Sequence, residues 1–418
     1  MRLHPAVVSH AEETLREVLR LTGPADAVVS RYFREHPKLG GRERGAIAES
    51  VFAVLRNKLA YASFAESGTG PAMRRLALLG LADSAGAESI AGLTEEEAAW
   101  LQRIAQIDRN TLPLALRANL PPWLMELLTG RLGEEGMLAL AQSLNQVAPL
   151  DLRVNSVKAK RDDVLPALTE AGISAEPTPY SPLGIRLKKK PALQNLPLFK
   201  DGAIEVQDEG SQLLTQIVGA RRGEMVVDFC AGAGGKTLAL GADMRNTGRL
   251  YAFDVADKRL AKLKPRLARS GLSNVHPVLI AHENDAKVKR LAGKIDRVLV
   301  DAPCSGLGTL RRNPDMKWRQ TPESVAELNA KQHAILASAA RLVKPGGRLV
   351  YGTCSLLDEE NEQIVKRFQA EHPDFRLVPM QEVLAEQKIA LDMSQYLKLL
   401  PHIHQTDGFF AAVFERSK

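Results

Sequence analysis

Apolar residues recur at three- and four-residue spacing over residues 11–21, 25–33, 45–54 and 73–81, a pattern that predicts amphipathic helices. Thr94-Glu95-Glu96-Glu97 reads as a capping box that opens a further helix through Ile107. Pro121 and Pro122 mark the start of another, and Gly133 separates it from a last helix ending near Asn145. Residues 1–145 are therefore expected to form a helical domain. The pattern changes at Pro149. Residues 150–157 alternate like a strand, 162–171 read as a helix and 184–187 as a short strand, which predicts a small α+β domain over 146–204. From Glu205 onward, β-branched or apolar runs at 225–229, 249–254, 275–280, 297–301 and 348–353 alternate with helical stretches. This alternation predicts right-handed βαβ units in a doubly wound, mostly parallel sheet, an α/β Rossmann-like domain over 205–418. Further strands are expected near 375–378 and 408–414, and no internal repeat is apparent.

Composition adds little to this outline, but it removes several classes. No run of about 18 apolar residues occurs, so a membrane span is not expected. The opening helix carries Glu12, Glu13 and Glu17, unlike the uninterrupted apolar core of a secretory signal. A soluble, cytoplasmic protein is expected, with a monomer favoured. Charge is uneven: residues 151–350 hold 33 Lys and Arg against 21 Asp and Glu, while the chain as a whole carries a net +7. A basic surface of this kind suits a polyanion such as RNA, because Lys and Arg displace counterions from phosphates. Arg186 with Lys188, Lys189 and Lys190 gives the small domain either a basic RNA-facing edge or a merely solvated one.

Candidate chemistry begins where the first Rossmann strand runs into Asp228-Phe229-Cys230-Ala231-Gly232-Ala233-Gly234-Gly235-Lys236-Thr237. Glycines at a strand-to-helix turn let a ligand approach the backbone closely. A phosphate-binding Walker loop needs Gly where Cys230 stands, and a dinucleotide fingerprint needs Gly where Thr237 stands. S-adenosylmethionine has no pyrophosphate and fits this turn better. Asp254, closing the next strand, is placed to accept hydrogen bonds from two ribose hydroxyls; the alternative is a helix cap.

The three cysteines, Cys230, Cys304 and Cys354, are sparse and form no C-x-x-C pair, so neither a disulfide framework nor a metal site is expected. Two of them occupy equivalent places. The fourth strand runs into Asp301-Ala302-Pro303-Cys304-Ser305-Gly306, and the fifth into Tyr351-Gly352-Thr353-Cys354-Ser355. In a doubly wound sheet these strands are expected to be neighbours, with both thiols at the carboxyl edge where ligands bind. That placement points to covalent catalysis.

The stretches Arg153-Val154-Asn155, Val206-Gln207-Asp208-Glu209-Gly210-Ser211, the glycine loop, and Asp301 through Gly306 occur here in one order. Arg311-Arg312-Asn313-Pro314-Asp315-Met316-Lys317-Trp318, Lys344-Pro345-Gly346-Gly347, Thr353-Cys354-Ser355 with Glu359-Glu360-Asn361-Glu362, and Thr406-Asp407-Gly408-Phe409-Phe410 follow. As a set they resemble the Sun/RsmB-type family of RNA cytosine-5 methyltransferases. The resemblance implies that Cys354 attacks carbon 6 of cytosine, which makes carbon 5 enamine-like toward a sulfonium methyl group, and that Cys304 assists product release. It implies that Cys230, Ala231, Gly232, Ala233, Gly234, Gly235, Lys236, Asp254, Asp285 and Asp301 contact the cofactor or its neighbourhood. Asp301 would also stabilise the charged adduct through a hydrogen bond. The loop departs from the family's Ala-Pro-Gly-Gly-Lys in lacking the proline, which should loosen the turn without removing a ligand group. Leu39-Gly40-Gly41-Arg42-Glu43-Arg44 and the helix through Arg56 resemble the NusB-like N-terminal domain of bacterial members, which implies substrate docking and a 16S ribosomal RNA substrate. Two other readings predict different things. An NAD-dependent oxidoreductase would leave both cysteines unexplained, and a non-catalytic RNA-binding factor would not need Cys354.

Overall fold

A computed structural model describes residues 3–418, which divide into two compact units. The first comprises the chain up to Val147 together with Thr309–Pro322. Its helices run over Ala6–Val18, Ala25–Glu35, Gly41–Arg56, Lys58–Glu66, Ala72–Ala85, Glu95–Ala105, Leu114–Ala118 and Pro122–Leu144. Thr94 caps the sixth as expected, its hydroxyl accepting from the Glu97 amide while the Glu97 carboxylate accepts from Thr94. Gly133, at φ 70° and ψ 173°, interrupts the last helix as a kink. The apolar stripes meet in one core that includes Leu15, Ile47, Val51, Leu55, Tyr61, Leu78 and Leu81. Residues 309–322, which lie after the Cys304 loop in sequence, complete this unit. The Trp318 indole donates to Leu55 O at 2.7 Å, and the Ala25 amide donates to Asp315 at 3.2 Å. The buried Lys317 ammonium donates to Arg56 O at 2.9 Å and to Asn145 at 2.6 Å. Burial, reinforced by Arg56, holds that ammonium well below the usual lysine range.

The second unit contains two sheets. Strands β1 (Leu150–Val154), β2 (Ala175–Pro177), β3 (Gly184–Leu187) and β4 (Ile204–Val206) form an antiparallel sheet in the order β2-β3-β1-β4. The helix Arg161–Glu170 sets Val164 and Leu168 against it. The large sheet uses β5 (Met225–Asp228), β6 (Arg249–Asp254), β7 (Val275–Leu279), β8 (Ile295–Asp301), β9 (Val343–Thr353), β10 (Phe375–Val378), β11 (Leu397–Leu399) and β12 (Phe409–Arg416). Its order is β10-β12-β9-β8-β5-β6-β7, with β11 on β12. The run from β9 to β7 is parallel; β12, β10 and β11 are antiparallel additions. Apolar residues cover both faces, with Leu213, Leu214, Leu240 and Leu263 in one cluster and Phe253, Val298, Tyr351 and Phe410 in the other. Strands buried on both sides in this way read as continuous apolar runs. The chain lays down β5, β6 and β7 in one direction, then returns to β8 and β9 on the other side of β5. The crevice at this reversal is where open α/β sheets bind ligands.

Polar side chains after β1 and on it tie the small sheet to its surroundings. Asn155 donates to Gly202 O at 3.0 Å and to Ser270 O at 3.1 Å, and Arg153 donates to Gln207 at 2.6 Å. Arg186 is not a free basic edge. It forms a two-pronged pair with Asp151 at 2.8 and 2.9 Å, because the antiparallel register of β1 and β3 puts the two residues opposite one another. Lys188, Lys189 and Lys190 are exposed. No helix among the described residues is long and apolar enough to cross a membrane.

Candidate active site

The loop after β5 turns through two positive-φ glycines, Gly232 at 57° and Gly234 at 84°. At Gly234 the requirement is double. A Cβ there would also lie 2.1 Å from Leu263 Cδ1, so only glycine lets the helix Asp257–Ser270 pack this close. Nothing lies within 4 Å of a Cβ built on Gly232, so the loop presents bare backbone to open space. Asp254, at the end of β6, accepts the Gly232 amide at 2.8 Å on one oxygen and the Ala256 amide at 2.7 Å on the other. It does not cap the following helix, whose N-cap is Ala256. Thr237, where a dinucleotide loop would carry glycine, donates its hydroxyl to buried Asp228 at 2.7 Å. Burial pushes the Asp228 carboxyl up to about 7, with the Thr237 bond opposing and the charge of Asp301 adding to the rise. Cys230 packs into the apolar cluster under the loop, and burial lifts its thiol well above the ordinary range. Ala231 is buried, and Ala233 O accepts from Arg266 at 2.7 Å.

Lys236 and Asp301 meet at 2.7 Å. Burial works against the Lys236 charge, but the Asp301 carboxylate outweighs it and the ammonium ends above its usual value. The same ammonium lies 5.5 Å from the centre of the Phe409 ring. Asp285 opens the short helix Ala286–Lys289, accepting from the Ala281 and Lys287 amides at 2.8 Å each. Those bonds pull its carboxyl below the usual range.

β8 and β9 are neighbours, and their loops bring Cys304 Sγ to 3.4 Å from Cys354 Sγ. Both thiols are half-buried. The hydrogen bond with Cys354, then burial, then the charges of Cys354 and Glu360 lift the Cys304 thiol well above the ordinary range. The thiols differ in their charged neighbours: Lys236 interacts electrostatically with Cys354, and Glu360 with Cys304.

Several supporting residues carry no role in the sequence reading. Glu360, buried completely, accepts bonds from both cysteine loops. Gln332 ties Glu360 to Pro303 O. Asn361 accepts the Thr353 hydroxyl at 2.6 Å and donates to Ser355 O at 3.1 Å. Gly308 donates to Cys354 O at 2.8 Å and accepts from the Gly408 amide at 2.8 Å. A Cβ on Gly308 would lie 2.1 Å from Gly408 O, so the Thr406-Asp407-Gly408 turn backs the thiol loops at backbone contact. Of the basic helix, Arg266 and Arg269 are bound to Glu205, whereas Lys258, Arg259, Lys262 and Lys264 are exposed.

Residues 215–415 match the family described as 16S rRNA methyltransferase RsmB/F, and residues 120–194 match the ferredoxin-like domain of RsmF/B-like methyltransferases. A Synechocystis protein named probable ribosomal RNA small subunit methyltransferase B is 33% identical over 96% of this chain and 98% of its own length. Among solved structures, PH0851 superposes with a TM-score of 0.80 at 26% identity over 100% of both chains. A methyltransferase homologue from Pyrococcus horikoshii superposes with a TM-score of 0.63 at 28% identity, covering 74% of this chain and 100% of its own.

Proposed function

The chain belongs to the RsmB/F family of 16S rRNA methyltransferases, and from that premise we propose that it methylates carbon 5 of a cytosine in 16S ribosomal RNA through a covalent adduct of Cys354. The observation that carries the reading is the pair of thiols 3.4 Å apart at the ends of β8 and β9, beside the Lys236–Asp301 pair.

The glycine loop fits S-adenosylmethionine. Bare backbone at Gly232 gives the cofactor room, and Asp254 keeps acceptor capacity for ribose hydroxyls after binding two amides, since an ionised carboxylate offers about four lone-pair sites. Asp228 Oδ1 is buried without a hydrogen-bond partner, an acceptor left over beneath the loop. Asp285 holds the turn over residues 281–287 at the neighbouring strand end. When bound, the cofactor supplies an electrophilic sulfonium methyl group.

The chain's own residues do the rest. Cys354, which has the Lys236 cation among its electrostatic neighbours, is the thiol that adds to carbon 6 of the base. The new S–C6 bond pushes electron density onto carbon 5 and makes it nucleophilic. A proton shared between Asp301, held by Lys236, and the ring nitrogen offsets the negative charge of the adduct. After methylation the carbon 5 proton leaves to a base, the C6–S bond breaks, and Cys354 departs as thiolate. Cys304, retaining its proton beside Glu360, is the neighbour able to assist that departure. Exposed Lys258, Arg259, Lys262 and Lys264 suit an RNA backbone, and the helical unit of residues 1–145 suits substrate docking.

Tritiated methyl transfer to unmodified 16S ribosomal RNA tests the reading with wild type, Cys354→Ala and Cys304→Ala in parallel. Activity should vanish in Cys354→Ala, and covalent protein–RNA adducts should accumulate in Cys304→Ala. Unchanged activity in Cys354→Ala would move the nucleophile to Cys304. RNA containing 5-fluorocytosine should trap a gel-stable adduct with wild type, because fluorine blocks the proton removal that elimination requires.

A further inference from the structure

Each cysteine of the pair is followed by a serine, Ser305 after Cys304 and Ser355 after Cys354. Both serines turn inward and are fully buried, with their hydroxyl oxygens 3.2 Å apart. Between them lies the carboxylate of Glu360, which is 0% exposed. One of its oxygens accepts the Ser305 amide at 2.8 Å and the Gln332 side-chain amide at 2.9 Å. The other accepts the Ser305 hydroxyl at 2.5 Å and the Ser355 hydroxyl. The Tyr351 hydroxyl, reaching from the interior of β9, donates to the Glu360 carbonyl at 2.6 Å and fixes its backbone. All these donors are neutral. A carboxylate buried among neutral donors is costly to desolvate, and a purely structural staple would need no charge.

We infer that Glu360 is a positioning residue for the thiol pair: its carboxylate holds the two cysteine loops at their working separation and sets a negative charge beside Cys304. The inference rests on the two-thiol reading above. Glu360 does not touch the base or the cofactor; it acts through Ser305 and Ser355. Charged and polar groups that interact with the pair include Glu360, Tyr351 and the Gly306 amide for Cys304, and Lys236 with its partner Asp301 for Cys354. The bond to Cys354, burial and the Glu360 carboxylate together keep the Cys304 thiol protonated. Cys304 stays neutral until the adduct is resolved.

The chemistry of the donors lets the two roles be separated. In Glu360→Gln the amide oxygen can still accept from the Ser305 and Gln332 amides, and the amide nitrogen can donate to the two serine hydroxyls, which rotate to accept. The staple survives and the charge is lost. In Glu360→Ala both are lost, and in Ser305→Ala the charge remains while one loop loses a tie.

The first measurement is iodoacetamide labelling of Cys304, followed by mass spectrometry across pH in full-length Cys354→Ser protein, with and without Glu360→Gln. Removing the charge should raise Cys304 labelling near neutral pH by about tenfold, with an unchanged melting temperature. In otherwise wild-type protein, Glu360→Gln should lower kcat about tenfold and leave adenosylmethionine Kd unaltered, and Glu360→Ala should lower kcat at least about a hundredfold. If Glu360→Ala does not fold, Glu360→Gln and Ser305→Ala still decide. Cys304 labelling and kcat within twofold of the parent in both variants would overturn the inference. The labelling needs no RNA, so failure of methyl transfer to 16S ribosomal RNA leaves it readable and bears only on the proposed function.

Discussion

The two halves of the candidate site are held in place by different means. On the cofactor side, the ends of β5 and β6 shape the ligand crevice with local features: positive-φ glycines, backbone amides turned to Asp254, and a threonine hydroxyl on Asp228 nine residues away in sequence. On the thiol side, the ends of β8 and β9 are secured by longer-range ties: Gln332 and Gly408 reach loops distant from them in sequence, and Glu360, in the loop after β9, reaches across to Ser305. A cofactor loop tolerates local determination because it has only to be open and correctly curved. Under the proposed mechanism two sulfurs cooperate and need a common reference, the role inferred above for the buried Glu360 carboxylate. Rigid supporting contacts of this kind keep reacting groups within productive geometry.

The comparison predicts that the halves fail separately. Cys354→Ala should lower methyl transfer by at least about 10³-fold while equilibrium binding of adenosylmethionine stays within twofold of wild type. A parallel loss of cofactor affinity would break the division. Asp254→Ala should do the reverse, raising cofactor Kd about 10- to 100-fold, the range expected for hydrogen bonds to a charged group. Titration calorimetry reads it directly, and Cys304–Cys354 cooperation should persist as fluorocytosine trapping at saturating cofactor. Gly234→Ala should cost about 1–3 kcal/mol of stability, from its φ of 84° and the clash with Leu263, measurable as a lowered denaturant midpoint. The smallest effect is one of pH. Asp228 sits at about 7 in the fold against an ordinary 3.8, so the fold is favoured most where this group is protonated. That contribution is complete below the ordinary carboxylate range and is lost as pH rises through about 7. Asp228→Asn should therefore flatten the fall in melting temperature between mildly acidic and mildly alkaline buffer. Asp243, also raised to about 7 by burial, leaves a residual slope.

Much of the fold was legible in the sequence, for identifiable reasons. The strands at β3, β6 and β10 match the expected residues, because a buried parallel strand or a half-buried hairpin strand leaves a run long enough to stand out. Strands β2, β4 and β11 were not expected: three residues cannot display alternation. The helix Lys58–Glu66 was missed because it follows Gly41–Arg56 after a single residue, Asn57, without a proline or glycine to announce it. The meeting of Cys304 and Cys354 followed from the order of the strands. Arg186 misled because its partner, Asp151, is set by strand register rather than by proximity in the chain. Glu360 entered the sequence reading only within the stretch Glu359-Glu360-Asn361-Glu362, with no role of its own. The available signal was the repeated Cys-Ser dipeptide, two buried serines that together require a common acceptor.

The insertion of residues 309–322 into the helical unit has a consequence in time. A chain emerging from the ribosome folds its early segments first, at about 5–20 residues per second. The helices up to Leu144 are complete in sequence long before Asp315, Lys317 and Trp318 exist to fill their places against Ala25, Leu55, Arg56 and Asn145. The interval is on the order of ten to thirty seconds at that pace. During it the nascent helical unit waits with buried acceptors uncovered, and its final closure comes only after the loop bearing Cys304 has been synthesised. Maturation of the first part of the polypeptide is thereby scheduled by the arrival of the catalytic part.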